Sequence, residues 1–386
     1  MMTGRARVAY AELRALSAPM AEPAGNAHRQ WTQRAGLLLR LVDAQGEVGL
    51  GEASPLPGYS VDELASCAAG LQEVPWTALD LELDLRGGRL VFAAPTEREL
   101  ARLPPAARCA AETALLTLVA RQCGVPLATL LRGATPPAAV PVSALLAGES
   151  PAALLASARA ALARGFSVLK IKVGRPDGAA WELAALRALR LQLGPAVTLR
   201  LDANRAWSLA EATARLDPLV ELAPELIEEP LSQVRELPHL RTSLPVALDE
   251  SLQHLDPEAE LVPLLAAGAA RVLCLKPMAL GGPLRCLQLA HLAAAHAAPA
   301  LCTHLLDGPV ALAAAAAVAL ALPRPLACGL DTHPGLALGP AVALPFAGAS
   351  AIPPPVTPGL GPELAAAPLT APCLWRSAPG GPPQGR

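Results

Sequence analysis

The sequence lacks an excess of charge of either sign: 31 basic residues stand against 33 acidic ones, for a formal net charge of −2. So balanced a chain has neither the cationic field that draws nucleic acid nor the basic face that settles on an anionic membrane, and a small molecule is the expected partner. It also lacks any C-x-x-C pair with zinc spacing. Its eight cysteines, Cys67, Cys109, Cys123, Cys274, Cys286, Cys302, Cys328 and Cys373, are scattered along the chain. They read as reduced thiols of a cytoplasmic protein, mostly structural. No apolar run has membrane length: the longest candidate, Val310 to Leu322, is alanine-rich, stops at Pro323, and at 13 residues falls short of a bilayer, so it is expected to be a buried helix. Met1 to Ala15 mixes Arg5, Arg7, Glu12 and Arg14 with short apolar stretches, which does not make a signal peptide.

What is present is length and rhythm. A chain of 386 residues exceeds what one compact core usually serves, and suits a barrel with an added domain. From about residue 138, short apolar runs alternate with amphipathic stretches. The candidate strands are Val140–Leu145, Val168–Val173, Thr198–Asp202, Leu226–Glu229, Val246–Asp249, Val272–Lys276, Ala300–Thr303 and Leu326–Leu330. Between them lie candidate helices such as Pro151–Gly165, Ala179–Leu193 and Leu209–Leu222. Strand starts recurring about every 20 to 30 residues give a βαβ pattern, and eight such units close a parallel barrel. Proline and glycine rise from about Pro353, and residues 371 to 386 are expected to form a disordered tail.

The charged residues sit where a plain scaffold has no need of them. Lys170 and Lys172 lie in the second strand, and Asp202, Glu228, Asp249 and Lys276 lie at or near the ends of the next four. All six are thereby predicted to ring the C-terminal mouth, where barrel enzymes carry their chemistry. Three carboxylates from successive strands, with neither Cys nor His among them, suit an octahedral Mg²⁺, with Mn²⁺ an acceptable substitute, and would repel one another without a cation. Lys170 and Lys172, at i and i+2, point inward together, so each ammonium disfavours the charge of its neighbour. Lys276, four strands on in a ring of eight, faces them across the lumen. A carboxylate substrate would have an amine on either side, an arrangement suited to removing its α-proton and stabilising the resulting enediolate.

These residues resemble the enolase superfamily, in its muconate-lactonizing subgroup and most of all the o-succinylbenzoate synthases. The resemblance runs from about Gly46 to Thr332. It is carried by Gly51-Glu-Ala-Ser-Pro-Leu-Pro-Gly-Tyr59, Ala106 to Leu115, Lys170-Ile-Lys172, Leu199 to Trp207, Ile227-Glu-Glu-Pro230, Leu248-Asp-Glu-Ser251, Leu275-Lys-Pro277 with Gly281-Gly282, and Gly329 to Thr332. It implies an α/β fold, a modified TIM-type (β/α)7β barrel over residues 136–334, under an α+β capping domain formed by 1–135 and completed by about 335–370. It implies metal ligands at Asp202, Glu228 and Asp249, rather than Glu229, and acid/base lysines at Lys172 and Lys276. Lys170 matches the neighbour that tunes Lys172, and Asn204 and Glu250 match supporting polar positions. Two cap loops, Ser17 to Arg34 and Ser54 to Ser60, are expected to close over substrate, with Ser54, Pro55, Leu56, Gly58 and Tyr59 from the cap and Thr303, His304 and Asp331 from the barrel lining the pocket.

Several activities share this lysine and carboxylate set. Dipeptide epimerases of the superfamily carry an Asp-x-Asp motif after the eighth strand, whereas here the segment is Gly329-Leu-Asp331-Thr-His333, with no second aspartate at that spacing. Sugar-acid dehydratases use a seventh-strand histidine with a sixth-strand aspartate, but the sixth strand here ends in Lys276, so His304 is expected to line the pocket or serve structure. The expected reaction is dehydration to o-succinylbenzoate in menaquinone biosynthesis, with N-acylamino acid racemisation or dipeptide epimerisation as alternatives. A barrel that had decayed into a binding protein would be expected to lack a ligand or a base, and none is missing.

Overall fold

In the computed structural model, the described residues run from 5 to 377 except 26–29, 87–88, 137–138, 149, 176–180, 340–341, 343, 362–363 and 365–370. The chain begins with an antiparallel sheet. Strands β1 (Arg5–Gly25), β2 (Gln30–Asp43) and β3 (Val48–Ala53) form a meander, and β4 (Asp80–Arg86) and β5 (Arg89–Phe92) extend its other side in the order β3-β2-β1-β4-β5. Helices α1 (Leu64–Glu73), α2 (Ala94–Leu100), α3 (Pro105–Gln122) and α4 (Leu127–Arg132) belong to this unit. Helix α3 is buried over most of Ala106 to Ala120, where small and apolar residues predominate, with Arg108 half-exposed and Glu112 a buried acid. A strand packs tightly on it only where it has no side chain: a Cβ added at Gly49 or Gly51 would stand 2.1 or 1.8 Å from the carbonyl oxygens of Ala114 and Ala110.

The second unit is the curled parallel sheet. After β6 (Val140–Pro141) come β7 (Ala144–Leu145), β8 (Val168–Lys172), β9 (Thr198–Asp202), β10 (Leu226–Glu228), β11 (Val246–Leu248), β12 (Val272–Leu275) and β13 (Ala300–Cys302), each hydrogen-bonded to the next from β7 onward. The predicted eighth strand is a run of bridges. Leu326 and Gly329 donate backbone N–H to Ala300 and Cys302 at 2.9 Å, and Cys328 exchanges bonds with Pro141 and Ser143, which completes the circuit. Around it lie α5 (Pro151–Ala163), α6 (Glu182–Leu193), α7 (Leu209–Leu216), α8 (Val262–Ala266), α9 (Pro277–Leu280), α10 (Pro283–Ala295) and α11 (Pro309–Ala321). Their ends follow local chemistry: Ser150 caps α5, Ser208 and Glu211 form a capping box on α7, and α6 stops at Gly194 with φ of 71°. The alanine-rich run of α11 is buried over its whole length, as its composition predicts, and none of the described helices is long and apolar enough to cross a membrane.

Two expectations are corrected here. The described part of the segment Ser17 to Arg34, predicted as a loop, lies in the two long strands of the β1–β2 hairpin, paired from Ser17 with Ala35 to Pro19 with Gln33 and again at Ala24 with Trp31 and Gly25 with Gln30; residues 26–29 lie outside the described residues. The tail expected to be disordered from 371 instead forms β14's successor: with β14 (Ala351–Ile352) paired to β6, strand β15 (Cys373–Arg376) pairs antiparallel with β1. Trp375 is buried, and Ala11 N–H donates to Ser377 Oγ at 2.8 Å. An apolar Cys-Leu-Trp run beside an unpaired strand edge outweighs the proline and glycine around it. Residues 378–386 lie outside the described residues.

Candidate active site

Register sets the rim of the barrel. Lys172 pairs with Asp202 across β8 and β9, and Asp202 pairs with Glu228 across β9 and β10, so three of the predicted residues stand at one level on adjacent strands. In β8, Leu169 and Ile171 are buried, while Lys170 and Lys172 project to the other side. The Lys170 ammonium donates to both oxygens of Glu228 at 2.7 and 2.8 Å and lies 2.9 Å from Asp202 Oδ2. Across the lumen, Lys276 pairs with Asp249 and donates to the Tyr59 hydroxyl at 2.6 Å. The Tyr59 hydroxyl in turn donates to Asp249 Oδ1 at 2.9 Å, and the ammonium stands 4.3 Å from the ring centre. Lys172 reaches up instead and donates to the Gly25 carbonyl of the cap at 2.8 Å.

These surroundings divide the three lysines. Burial depresses Lys172, the charges of Lys170 and Lys276 add to that, and Asp202 offsets only part, so its ammonium is held below the usual lysine range. Burial acts on Lys170 and Lys276 too, but the carboxylates they touch outweigh it and both are raised. Among the acids, burial and then repulsion from Asp202 push Glu228 up to about 8, while the lysines hold Asp202 down against its burial.

A layer of polar contacts fixes these carboxylates. Glu229, held at φ of 43°, turns away from the rim and accepts from the Asp249 and Ser251 N–H groups and the Ser251 hydroxyl at 2.7 to 2.8 Å. Asn204 donates its N–H to Asp202 and its amide to Glu250, both at 3.0 Å. Burial followed by repulsion from Asp249 raises Glu250 to about 8. Among the described residues no group of three His, Cys, Asp or Glu side chains converges in metal-ligating geometry, and the ammoniums of Lys170 and Lys276 lie on the acids instead. The donor set nevertheless fits a hard cation: Asp202, Glu228 and Asp249 are all buried at neighbouring strand ends, and the mutual repulsion that raises Glu228 is what a divalent ion relieves.

The cap reaches this rim through the loop of residues 54–60. Its turn needs Gly58 at φ of 78°, and Ser60 Oγ receives the Leu56 N–H at 2.9 Å. The loop is held from below by Arg34, a fully buried guanidinium that sequence reading had placed only at the end of a loop. It donates to the carbonyls of Ser54 at 2.5 Å, Pro55 at 3.2 Å and, across in the barrel, Leu306 at 3.0 Å. Glu52 accepts from Ser54 Oγ and from the Gly308 and Ala311 N–H groups at the start of α11. For Glu52 the signal in the sequence is a charge inside an otherwise apolar strand, whereas Arg34 lies among the polar residues Gln30, Thr32 and Gln33 and carries no such signal.

The remaining predicted lining residues divide. His304 is half-buried, stacked on His333 at 3.9 Å, and receives the Leu306 N–H, while desolvation and the charges of its neighbours hold its imidazole well below the usual range. Thr303 spends its hydroxyl on the Gly329 carbonyl at 3.0 Å, within the closure of the barrel. The Asp331 carboxylate pairs with Arg164 at 2.5 Å and receives the N–H of Thr332, and among the described residues it has no hydrogen bond or ion pair with the three lysines. A residue one position beyond a strand end has no fixed direction, so spacing alone could not aim it.

Comparison with known proteins places this geometry. Residues 153–367 match the model of the family described as enolase C-terminal domain-like. The chain is 34% identical over 180 residues to an o-succinylbenzoate synthase from Thermobifida fusca, which covers 46% of this chain and 55% of that one. It is 33% identical over 282 residues to an N-succinylamino acid racemase from Thermus thermophilus, 72% of each. Its fold superposes on a dipeptide epimerase from Methylococcus capsulatus, solved with Mg and the dipeptide L-Arg-D-Lys, with a TM-score of 0.77 and 30% identity over 92% of this chain and 99% of that one. Against several curated relatives the matched stretch spans only 55 to 66% of their length. With its parallel curled sheet, antiparallel cap and strand-end carboxylates, the chain belongs to the enolase C-terminal domain-like family and to the enolase superfamily.

Proposed function

We propose that the protein is a Mg²⁺-dependent o-succinylbenzoate synthase, dehydrating 2-succinyl-6-hydroxy-2,4-cyclohexadiene-1-carboxylate. The observation that carries the reading is the placement of two unlike lysines on opposite sides of the acidic rim: Lys172 with its charge disfavoured, Lys276 with its charge favoured. Asp202, Glu228 and Asp249 would hold the ion, which supplies a Lewis acid for the substrate carboxylate. Lys172, as the free amine, takes the α-proton, and the electron pair moves into the carboxylate to give the enediolate, whose added charge the Lys276 ammonium stabilises. As the pair returns, the carbon–oxygen bond to the ring hydroxyl breaks, and Lys172 returns its proton to the leaving oxygen as water. The ring becomes aromatic and the amine is restored.

Commitment of Asp331 to Arg164 supports this over epimerisation, since a carboxylate already paired with a guanidinium is a poor partner for a dipeptide ammonium. Racemisation of N-succinyl amino acids is the second reading, favoured by the match to a racemase, because it needs only the same two lysines. Purified enzyme with Mg²⁺ should form the aromatic product, followed in the ultraviolet, and lose that activity in EDTA. Racemisation faster by tenfold or more in kcat/KM, about 1.4 kcal/mol of transition-state preference, would transfer the assignment to the racemase.

A further inference from the structure

Away from the rim, where the cap leans on the barrel, lies a cavity of about 1050 Å³. It is bounded by β5, α2 and the end of α4 on one side and by α10 and the end of α11 on the other, and it shares no residue with the lysines, carboxylates or cap loop of the candidate site. Its size is at the upper end for small-molecule sites. One wall is apolar, made by Phe92, Leu131, Leu284 and Leu287.

The opposite character comes from four arginines, Arg98, Arg108, Arg132 and Arg285, with Glu97 the single acid among the described lining residues; with His291 neutral these residues carry a net of three positive charges, in a chain whose overall charge is −2. Among the described residues only one of the four is neutralised. Arg108 donates to Glu97 at 2.7 Å and lies 3.7 Å from Glu112. Arg132 reaches a carbonyl, Leu322 O, at 3.4 Å, and Arg285 reaches the Gln288 amide oxygen at 2.8 Å, so neither meets an acid. Arg98 has no hydrogen-bond or ion-pair partner among the described residues. Packing alone does not call for guanidiniums around an open apolar wall. Like charges repel there, while the planar fork of arginine matches the two oxygens of a carboxylate, phosphate or sulfonate.

We propose that this crevice is a second binding site, for a small amphipathic anion whose apolar body lies on the Phe92 and Leu287 wall and whose oxyanion head meets Arg98, Arg132 and Arg285. The site does not depend on which reaction the barrel catalyses. Decanoate is the probe, with decyltrimethylammonium and decanol matching its chain without its charge. Titration calorimetry on the full chain should give one decanoate per chain, with both controls at least tenfold weaker. Arg98→Gln combined with Arg285→Gln should weaken decanoate at least tenfold and leave turnover at the barrel unchanged. Ala134→Trp, an exposed position at the cavity edge, should narrow the crevice and weaken decanoate with the arginines intact. Equal binding of cation and anion, unaltered decanoate affinity in the arginine variant, or binding only to phosphatidylglycerol vesicles and not to monomeric decanoate would each overturn the site. So would an absence of decanoate binding because two copies of the chain cover the crevice, seen as a dimer in light scattering.

Discussion

At the residue scale, the division between the three lysines is set by their partners. Lys170 and Lys276 each touch a carboxylate, whereas Lys172 spends its hydrogen bond on a neutral carbonyl and feels two like charges nearby. Lys172→Ala should lower turnover by about 10² to 10⁴, the usual worth of a general acid or base, while circular dichroism and Mg²⁺ affinity stay near wild type. Unchanged turnover would remove the residue from the mechanism. The Tyr59 hydroxyl is shared between Lys276 and Asp249, so Tyr59→Phe breaks two hydrogen bonds at the rim without opening a cavity. A loss of about 1.5 to 3 kcal/mol, read as roughly tenfold to 150-fold in kcat, is expected from hydrogen bonds to charged groups; an effect on KM alone would make Tyr59 only part of the lid. The position of both at the rim was legible in the sequence, Lys172 from its alternation with Lys170 and Tyr59 from the motif around Gly58. Arg34 was not, because what makes it matter is three carbonyls from segments far apart in the chain.

At the scale of elements, the parallel strands were legible because each is a short apolar run between helices, and Thr198–Asp202 falls where the pattern put it. The eighth strand was legible as a run but not as a ladder, and the β1–β2 hairpin was hidden by the mixed composition of Ser17 to Arg34. Packing between elements was least legible of all. The approach of β3 to α3 is so close that Gly49 and Gly51 leave no room for a methyl group against backbone carbonyls. Carbonyl oxygens of a buried helix cannot yield as a side-chain tip can, so Gly51→Ala should cost about 1 to 3 kcal/mol or more and lower the melting temperature by several degrees. The same change at Gly124, where an added Cβ would meet nothing within 4 Å, relieves no such contact and bears only its φ of 67°. Calorimetric scanning of both variants distinguishes the cases: equal losses would deny the close approach.

At the scale of the whole molecule, cap and barrel are joined by a buried set of charges in which Arg34, Glu52 and Asp307 all lie within about 1% of full burial. The guanidinium does not pair with either acid directly, since its three nitrogens donate to the carbonyls of Leu306, Pro55 and Ser54. Asp307 is left with Oδ1 buried and without a hydrogen-bond partner among the described residues. Burial, and then the nearby Glu52, push its carboxyl up to about 7 from an ordinary 3.8. Between those values the folded chain keeps the proton and the unfolded chain releases it, so stability contributed by the neutral carboxyl is full below about pH 4 and is lost as pH rises to about 7. Asp307→Asn keeps the neutral shape at every pH. The variant should therefore melt near wild type at pH 4 and above it at pH 8, by an amount on the order of a few kcal/mol. Glu112, raised by burial to about 7, has the same sign and leaves a residual slope in the variant. Were Asp307 instead held as an anion by attraction to Arg34, the asparagine would cost stability at pH 8, and melting curves at the two pH values separate these outcomes by sign.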